Sequence, residues 1–229
     1  MKPYGGNPWR FFATSGGASC LPIPGLKLLP GTLGTLPAVL LWWLLAEVLG
    51  WHISILAGIT VAIFVIGIPL TNIVCLDIDV HDDGRVTFDE IGGYFAAMTI
   101  ANIAFNPVGI GWMFAVFGLF RFFDMVKPDP VWRFDRNENP YWSLWSPWIM
   151  LDDYVGGALA GLLAWGFFEN ADKAWALFGV YVGLTFVLRL TCWWAYKNCD
   201  EMPTPSLLDV LQGPPKSWDS SGQKERLSS

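Results

Sequence analysis

Long apolar runs separated by short polar segments dominate the pattern of this chain. Runs of roughly 17–25 apolar residues are long enough to cross a bilayer as helices. The candidate spans are residues 33–51, 53–73, 108–126, 154–168 and 174–196, with a shorter run at 91–105 that either spans beside its neighbours or enters only partway. No run keeps a period of two, so strands are not expected. Because backbone groups in lipid must be bonded internally, the pattern predicts an all-α, polytopic helical membrane protein with five to six membrane helices.

The composition supports a membrane protein and argues against a nucleic-acid partner. Of the 229 residues, 53% are hydrophobic and 15% are charged, whereas soluble domains average about 25% charged residues. The 14 Trp side chains fit the same class, because aromatic rings favour the boundary between membrane and water. A net charge of −6 offers no basic surface for nucleic acid.

The basic residues are distributed unevenly between the two sides of the predicted membrane. With the N-terminus inside and six crossings, the outer loops near 51–52, 106–107 and 169–173 contain one Lys and no Arg. The positive-inside rule therefore places both termini in the cytoplasm. We expect residues 1–200 to form one helical membrane domain. Residues 201–229, rich in Pro, Ser, Gly and charge, are expected to be a mobile polar tail.

Acidic residues gather on the predicted cytoplasmic side. Twelve of the 20 Asp and Glu residues lie between residues 77 and 153, and eleven of these fall in three clusters at 77–90, 121–136 and 152–153, each where a predicted membrane helix begins or ends. Clustered carboxylates repel one another unless a cation neutralises them, and oxygen-only ligand sets suit Mg²⁺, Mn²⁺ or Ca²⁺. The Arg and Lys residues interleaved with them indicate an anion beside that cation, and phosphate is the natural candidate.

Each cluster also has a structural interpretation. Asp89 and Asp152 stand immediately before apolar runs, where Asp is a preferred helix N-cap. Asp124 lies one turn after Arg121 near the end of an apolar helix, so the two could form a structural ion pair. Acidic groups at such depth are costly, however, and are usually functional.

Two further patterns carry less information. Residues 79–90 approach the spacing of a calcium-binding loop, but His81 at the third ligand position is a poor Ca²⁺ ligand. Residues 31–35 (GTLGT), after a proline, open the first predicted membrane helix, and their backbone N–H groups could cradle an anion. Pro and Gly also often precede helices without binding anything.

Four sequence blocks carry these features. They are LPGTLGT at 29–35, HDDGRVTFDEIGG at 81–93, FRFFDMVKPDPVWRFDR at 120–136 and MLDDYVGG at 150–157. Together they resemble the phosphatidylglycerophosphatase A family of bacterial lipid phosphatases. Their order and approximate spacing agree with that family over about residues 7–168, and the third block is the most specific.

The resemblance implies a Mg²⁺-dependent phosphoric monoester hydrolase that acts on a membrane lipid. It would convert phosphatidylglycerophosphate to phosphatidylglycerol and phosphate in phospholipid biosynthesis, at the cytoplasmic face of the bacterial inner membrane. The implied metal ligands are Asp89, Glu90, Asp124, Asp152 and Asp153, which with Asp82 and Lys127 make up the implied catalytic set. The implied substrate-binding residues are Gly31, Thr32, Gly34, Thr35, Arg121, Lys127, Asp135 and Arg136. Asp82 is the expected general base. A covalent aspartyl-phosphate intermediate remains an alternative to direct attack by water.

The chain departs from the family at two links and in its last predicted span, 174–196, and tail, which extend past the usual end; two other functions stay open. Residues 22–29 are longer than the usual turn, and residues 137–147 replace a short glycine-rich link, so substrate preference and oligomeric state stay open. An acid-lined divalent cation transporter should carry acids at mid-membrane depth, and only Glu47 lies within a span away from the acidic face. A phosphatase for another lipid phosphate that uses a histidine nucleophile would need more than the two His present.

Overall fold

A computed structural model describes most of the chain up to residue 169 and short pieces beyond it. The described residues are 8–15, 29–78, 86–104, 109–127, 131, 147–169, 172, 176, 178–183 and 186–187. Every regular element in this part of the chain is a helix, which confirms the all-α prediction. The predicted tail at 201–229 and most of the last predicted span lie outside the described residues.

Helices account for all the apolar runs that fall before residue 170. They are α1 (Pro8–Ala13), α2 (Leu29–Trp43), α3 (Ile53–Ile78), α4 (Phe88–Ala104), α5 (Ile110–Val126) and α6 (Trp148–Glu169). A π-helical turn, Leu44–Val48, continues α2 without a break, so the two form one continuous apolar helix.

Two stretches of the described helices are long and apolar enough to cross a bilayer. They are Gly31–Val48 and Ile53–Val74. The second turns large apolar side chains outward, and Val61 and Ile66 are 62% and 60% exposed. Water would hydrate such a surface unfavourably, whereas lipid chains match it. The count of five to six spans stays a prediction.

The start of α6 differs from the sequence prediction. The run was expected to begin at residue 154, with Asp152 as a possible N-cap. The helix instead begins one and a half turns earlier, because the carbonyl oxygen of Pro147 accepts the N–H groups of Met150 and Leu151 at 3.0 and 2.9 Å. The N-cap interpretation of Asp152 is therefore wrong, and its carboxylate projects from the second turn of the helix.

Direct backbone contact between α4 and α6 forms the centre of the bundle. A Cβ atom at Gly157 would fall onto the carbonyl oxygen of Gly93, and one at Gly161 would collide with the carbonyl oxygen of Ala97. Small residues permit this approach, as in helix pairs packed within membranes. Phe120 of α5 closes over Gly93 and is fully buried. The contact fixes how the first turns of α4 and α6 lie beside each other.

Successive helices from α2 to α6 alternate in direction. At one end, Gly31 near the start of α2 lies against Glu90 of α4 and Arg121 near the end of α5. At the other end, Glu47 accepts the N–H of Gly109, just before α5, at 3.4 Å. The starts of α2, α4 and α6 therefore share one end of the bundle with the finish of α5.

Replacing Gly157 by Ala tests the contact between α4 and α6. The added methyl group meets backbone, which has no rotamer to yield, so we expect a loss of about 1–3 kcal/mol of stability. Gly118 on α5 is the matched control, because a Cβ atom there meets nothing within 4 Å. Gly118→Ala should leave the melting temperature in detergent unchanged or raise it. Equal melting temperatures for the two variants would contradict the packing described above.

Candidate active site

Charged side chains from three helices meet at the end of the bundle where α2, α4 and α6 begin. The residues that share this end are Gly31 and Thr35 of α2, Asp89 and Glu90 of α4, Arg121 and Asp124 of α5, Lys127 directly after it, and Asp152 and Asp153 of α6. The structure thus brings together the described members of the predicted site. Five carboxylates face two cationic side chains here, and three helix N-termini add positive potential.

Arg121 lies between two of the carboxylates. Its Nη1 atom is 2.6 Å from Oδ2 of Asp124, one turn along α5, and 3.1 Å from Oε1 of Glu90 on α4. The residue is 7% exposed. The Thr35 hydroxyl donates to Oε2 of Glu90 at 2.6 Å, which brings α2 into the same network. The structural ion pair between Arg121 and Asp124, one of the two sequence interpretations, is therefore formed.

Lys127 closes the end of α5 and reaches across to α6. Its backbone is left-handed, with φ of 41°, and its N–H donates to the carbonyl oxygen of Phe123 at 2.8 Å. A non-glycine residue in this conformation is strained, and such strain is concentrated at functional sites. The Nζ atom donates to Oδ2 of Asp152 at 2.8 Å, and the lysine side chain is 22% exposed. Lys127 is thus the more accessible of the two cations.

Asp153 is the most deeply placed carboxylate of the site. It is 4% exposed, and its Oδ1 atom has no hydrogen-bond partner among the described residues. The carboxylates of Asp124, Asp152 and Asp89 repel it, and Lys127 attracts it. A buried acceptor without a donor is costly, so this oxygen is suited to contact a bound cation.

Asp89 lies in the first turn of α4. The helix begins at Phe88, so Asp89 lies inside it and the N-cap interpretation of this residue is wrong. Its Oδ1 atom accepts the N–H of Glu90 at 2.9 Å. Asp89 is also 5% exposed and lies close enough to Asp153 to repel it. Its role as a metal ligand stays a prediction.

The structure does not gather the five predicted metal ligands into one group. Across the described ranges, no group of three or more His, Cys, Asp or Glu side chains is gathered closely enough to hold a metal ion. Two of the five predicted ligands, Glu90 and Asp124, have oxygens in contact with Arg121. The other three, Asp89, Asp152 and Asp153, lie near one another on α4 and α6.

Several predicted residues lie elsewhere. Asp82, Asp135, Arg136 and all but the end of the proposed calcium loop fall outside the described residues. Residues 31–35 lie inside the first turns of α2 and do not form a turn that precedes it. Gly31 is nevertheless required as a glycine, because a Cβ atom there would strike Glu90 and Arg121.

Thr87 is a residue at this end that the sequence interpretation missed. It precedes α4, its N–H donates to the carbonyl oxygen of Ala13 at 2.8 Å, and its hydroxyl lies 2.6 Å from that of Ser15. A Cβ atom at Gly34 would collide with its side chain. The available signal was the spacing from Thr87 to Glu90, which matches a capping box.

Comparison with known proteins agrees with the four sequence blocks. The family model described as phosphatidylglycerophosphatase A matches residues 11–168. Phosphatidylglycerophosphatase A of Escherichia coli (strain K12) is 35% identical over 161 residues, which cover 69% of this chain and 82% of that protein. The Haemophilus influenzae Rd protein of the same name is 34% identical over 132 residues, 57% of this chain and 74% of the relative. No solved structure matches.

The matched segment begins in α1 and ends one residue before the end of α6, so it includes every described residue of the site. The family resemblance stated from the sequence is thereby confirmed. This chain belongs to the phosphatidylglycerophosphatase A family.

Proposed function

We propose that this protein hydrolyses phosphatidylglycerophosphate to phosphatidylglycerol and inorganic phosphate. Family membership makes the chain a phosphatase, a phosphoric monoester hydrolase. The observation that carries the specific proposal is the meeting of Asp152 and Asp153 with Lys127 at the end where three helices begin. Carboxylates that can hold a cation, a nearby ammonium group and positive helix ends are the parts that phosphoryl transfer requires.

We propose Mg²⁺ as the cofactor of this site. Asp89, Asp152 and Asp153 would hold it, with Glu90 and Asp124 beside them, because carboxylate oxygens are the ligands that Mg²⁺ prefers. The partnerless Oδ1 atom of Asp153 supports the fit. The ion would polarise the phosphoryl group and lower the pKa of a bound water.

We assign the remaining groups to phosphate binding and to proton transfer from the attacking water. Lys127 would contact the phosphoryl oxygens as a point charge, and the N-termini of α4 and α6 would favour the same anion. In the reaction an oxygen of water bonds to phosphorus as the ester P–O bond breaks, and the glycerol oxygen leaves with a proton. Asp82 remains our proposed general base, and Arg136 a further phosphate ligand.

The arrangement favours an enzyme over the transporter alternative. Midway along the bundle, the polar pair that joins α3 to α4 consists of the neutral hydroxyls of Thr60 and Thr99, 2.8 Å apart. The carboxylates that contact Arg121 and Lys127 lie at one end. A cation path would be expected to carry acids along its length.

We further propose that the protein crosses the bacterial inner membrane several times with this end in the cytoplasm. The exposed apolar surface of α3 and the positive-inside distribution support that placement. The substrate phosphate would then approach from the inner leaflet.

Asp153→Asn tests the metal site. Loss of the charge should lower kcat for phosphate release from phosphatidylglycerophosphate by on the order of 100-fold or more, and added Mg²⁺ should not restore it. Glu169→Gln at the far end of α6 is the matched control and should retain wild-type activity. Near-normal activity of Asp153→Asn at limiting Mg²⁺ would remove this carboxylate from the ligand set.

Lys127→Met tests phosphate binding. This change keeps most of the side-chain stem and removes the charge, so catalysis should fall by roughly 2–4 kcal/mol. Inhibition by inorganic phosphate should weaken in parallel. The melting temperature should fall by less than for a fully buried pair, because the lysine is 22% exposed and water can partly replace it beside Asp152. An unchanged inhibition constant for phosphate would show that Lys127 serves only to neutralise Asp152.

Single cysteines at His52 and Phe12, in a chain whose own cysteines are replaced by Ser, test the orientation. Both positions are exposed. His52 directly precedes α3, and Phe12 lies in α1, whose Ala13 packs against Leu70 and Val74 toward the other end of α3. A membrane-impermeant thiol reagent added to intact cells should label position 52 and spare position 12, because we place the site end in the cytoplasm. Labelling of position 12 alone would invert the proposed topology.

A further inference from the structure

The start of α4 carries a capping-box sequence whose usual bonds are not made. In a capping box, the residue at the position of Glu90 would accept the backbone N–H of Thr87. Here that N–H donates to the carbonyl oxygen of Ala13, and the Thr87 hydroxyl pairs with Ser15 at 2.6 Å. The N-terminal segment thus supplies partners to Thr87. The Glu90 carboxylate is therefore available for another use.

Glu90 of α4 instead contacts residues of α2 and α5, and so links three helices. Its Oε1 atom is 3.1 Å from Nη1 of Arg121 on α5, and its Oε2 atom accepts the Thr35 hydroxyl on α2 at 2.6 Å. Glycine at position 31 leaves the room that these groups occupy. Asp124, at 2.6 Å from the same guanidinium, completes the network.

Burial decides what such a network contributes. Arg121, Glu90 and Asp124 have side chains only 9%, 14% and 12% exposed. Ion pairs shielded from water are screened weakly, and removal of one partner strands the others at a high cost. The other ion pair at this site, between Lys127 and Asp152, is partly accessible to water through the lysine, whose side chain is 22% exposed.

We infer that four residues form a structural brace: Thr35, Glu90, Arg121 and Asp124. Arg121 is then a positioning residue, because it holds the first turn of α4, which carries Asp89, against α2 and α5. This inference rests on the proposed function for the identity of the catalytic carboxylates. It assigns Glu90 and Asp124 to the brace and leaves the metal to Asp89, Asp152 and Asp153. It also removes Arg121 from the phosphate-binding residues.

Electrostatics supports this division of the carboxylates. A guanidinium already 2.6 and 3.1 Å from two carboxylates neutralises them and would repel a divalent cation placed on the same oxygens. Arg121 is also 7% exposed, and a substrate phosphate could contact its Nη1 atom only by displacing Glu90 or Asp124. Asp153 has an oxygen without a donor in the described residues; the Nε atom of Arg121 also lacks a partner there, and it is buried.

The test compares three changes in the full-length protein, purified in detergent and stripped of metal with EDTA. The variants are Arg121→Met, Arg121→Lys and the triple variant Glu90→Gln, Arg121→Met and Asp124→Asn. The readouts are the melting temperature without metal, the affinity for Mn²⁺ by electron paramagnetic resonance, and the Mg²⁺ dependence of phosphate release.

The brace predicts a specific order of effects. Arg121→Met should lower the melting temperature by roughly 6–20 °C, because two carboxylates stay buried without a partner. The triple variant should recover most of that loss and bind Mn²⁺ within about tenfold of the wild-type affinity. Arg121→Lys should keep most of kcat but raise the Mg²⁺ concentration needed for half-maximal activity, because it retains the charge and loses the forked geometry.

Two results would overturn the inference. One is a wild-type melting temperature for Arg121→Met in EDTA, because the brace would then contribute nothing to stability. The other is a stable triple variant that binds no Mn²⁺, because Glu90 or Asp124 would then be a metal ligand.

Asp153→Asn separates this inference from the proposed function. It should fold normally and lose Mn²⁺ binding. If it keeps both Mn²⁺ binding and activity, the proposed metal site is wrong. The melting temperatures of the Arg121 variants alone would then test whether the brace exists, because they require no assumption about the metal.

Discussion

The close contact of the α4 and α6 backbones is the constraint on which the rest of the site depends. With no side chain at Gly93 or Gly157, the two helices run together and their first turns end side by side. Asp89 and Asp153 are thereby brought within range of each other's charge. Carboxylates held this close repel, so the fold must supply positive charge nearby. Arg121, Lys127 and the helix N-termini do so, and each is placed by packing that begins at the glycine contact.

Sequence patterns predicted the elements well, because each apolar run is long and has a single preferred structure in lipid. The run at 108–126 became α5 with a boundary shift of two residues, and Lys127 before Pro128 marked its end. Local spacing also identified the pair of Arg121 and Asp124, since residues three apart on a helix face the same side. The predicted start of α6 at residue 154 is wrong, because the uninterrupted apolar run begins only after Asp152 and Asp153 whereas Pro147 already accepts the first helical bonds.

Contacts between distant parts of the chain were not predictable from spacing. Lys127 pairs with Asp152, 25 residues away, and the capping box of α4 is opened by a segment more than 70 residues earlier. Both contacts depend on which helices pack together, and a single amino-acid sequence does not contain that information. The four blocks identified the family because they keep their order, yet they gave no means to separate a carboxylate that braces the fold from one that meets a ligand. Asp82, Asp135 and Arg136 remain predictions of that resemblance.

Helix length has a consequence for the lipid around this protein. At 1.5 Å per residue, the 17 residues of α4 or α5 extend about 26 Å, whereas the 26 residues of α3 extend about 39 Å. A hydrocarbon core is about 30 Å thick, so in the membrane placement that we propose the bilayer would thin beside the exposed face of α5 while α3 tilts or protrudes. Lipid headgroups would lie closer to the carboxylates where the leaflet is locally thinner. The thickness of the surrounding bilayer, and hence the length of its acyl chains, would then govern how readily a lipid phosphate descends to the site.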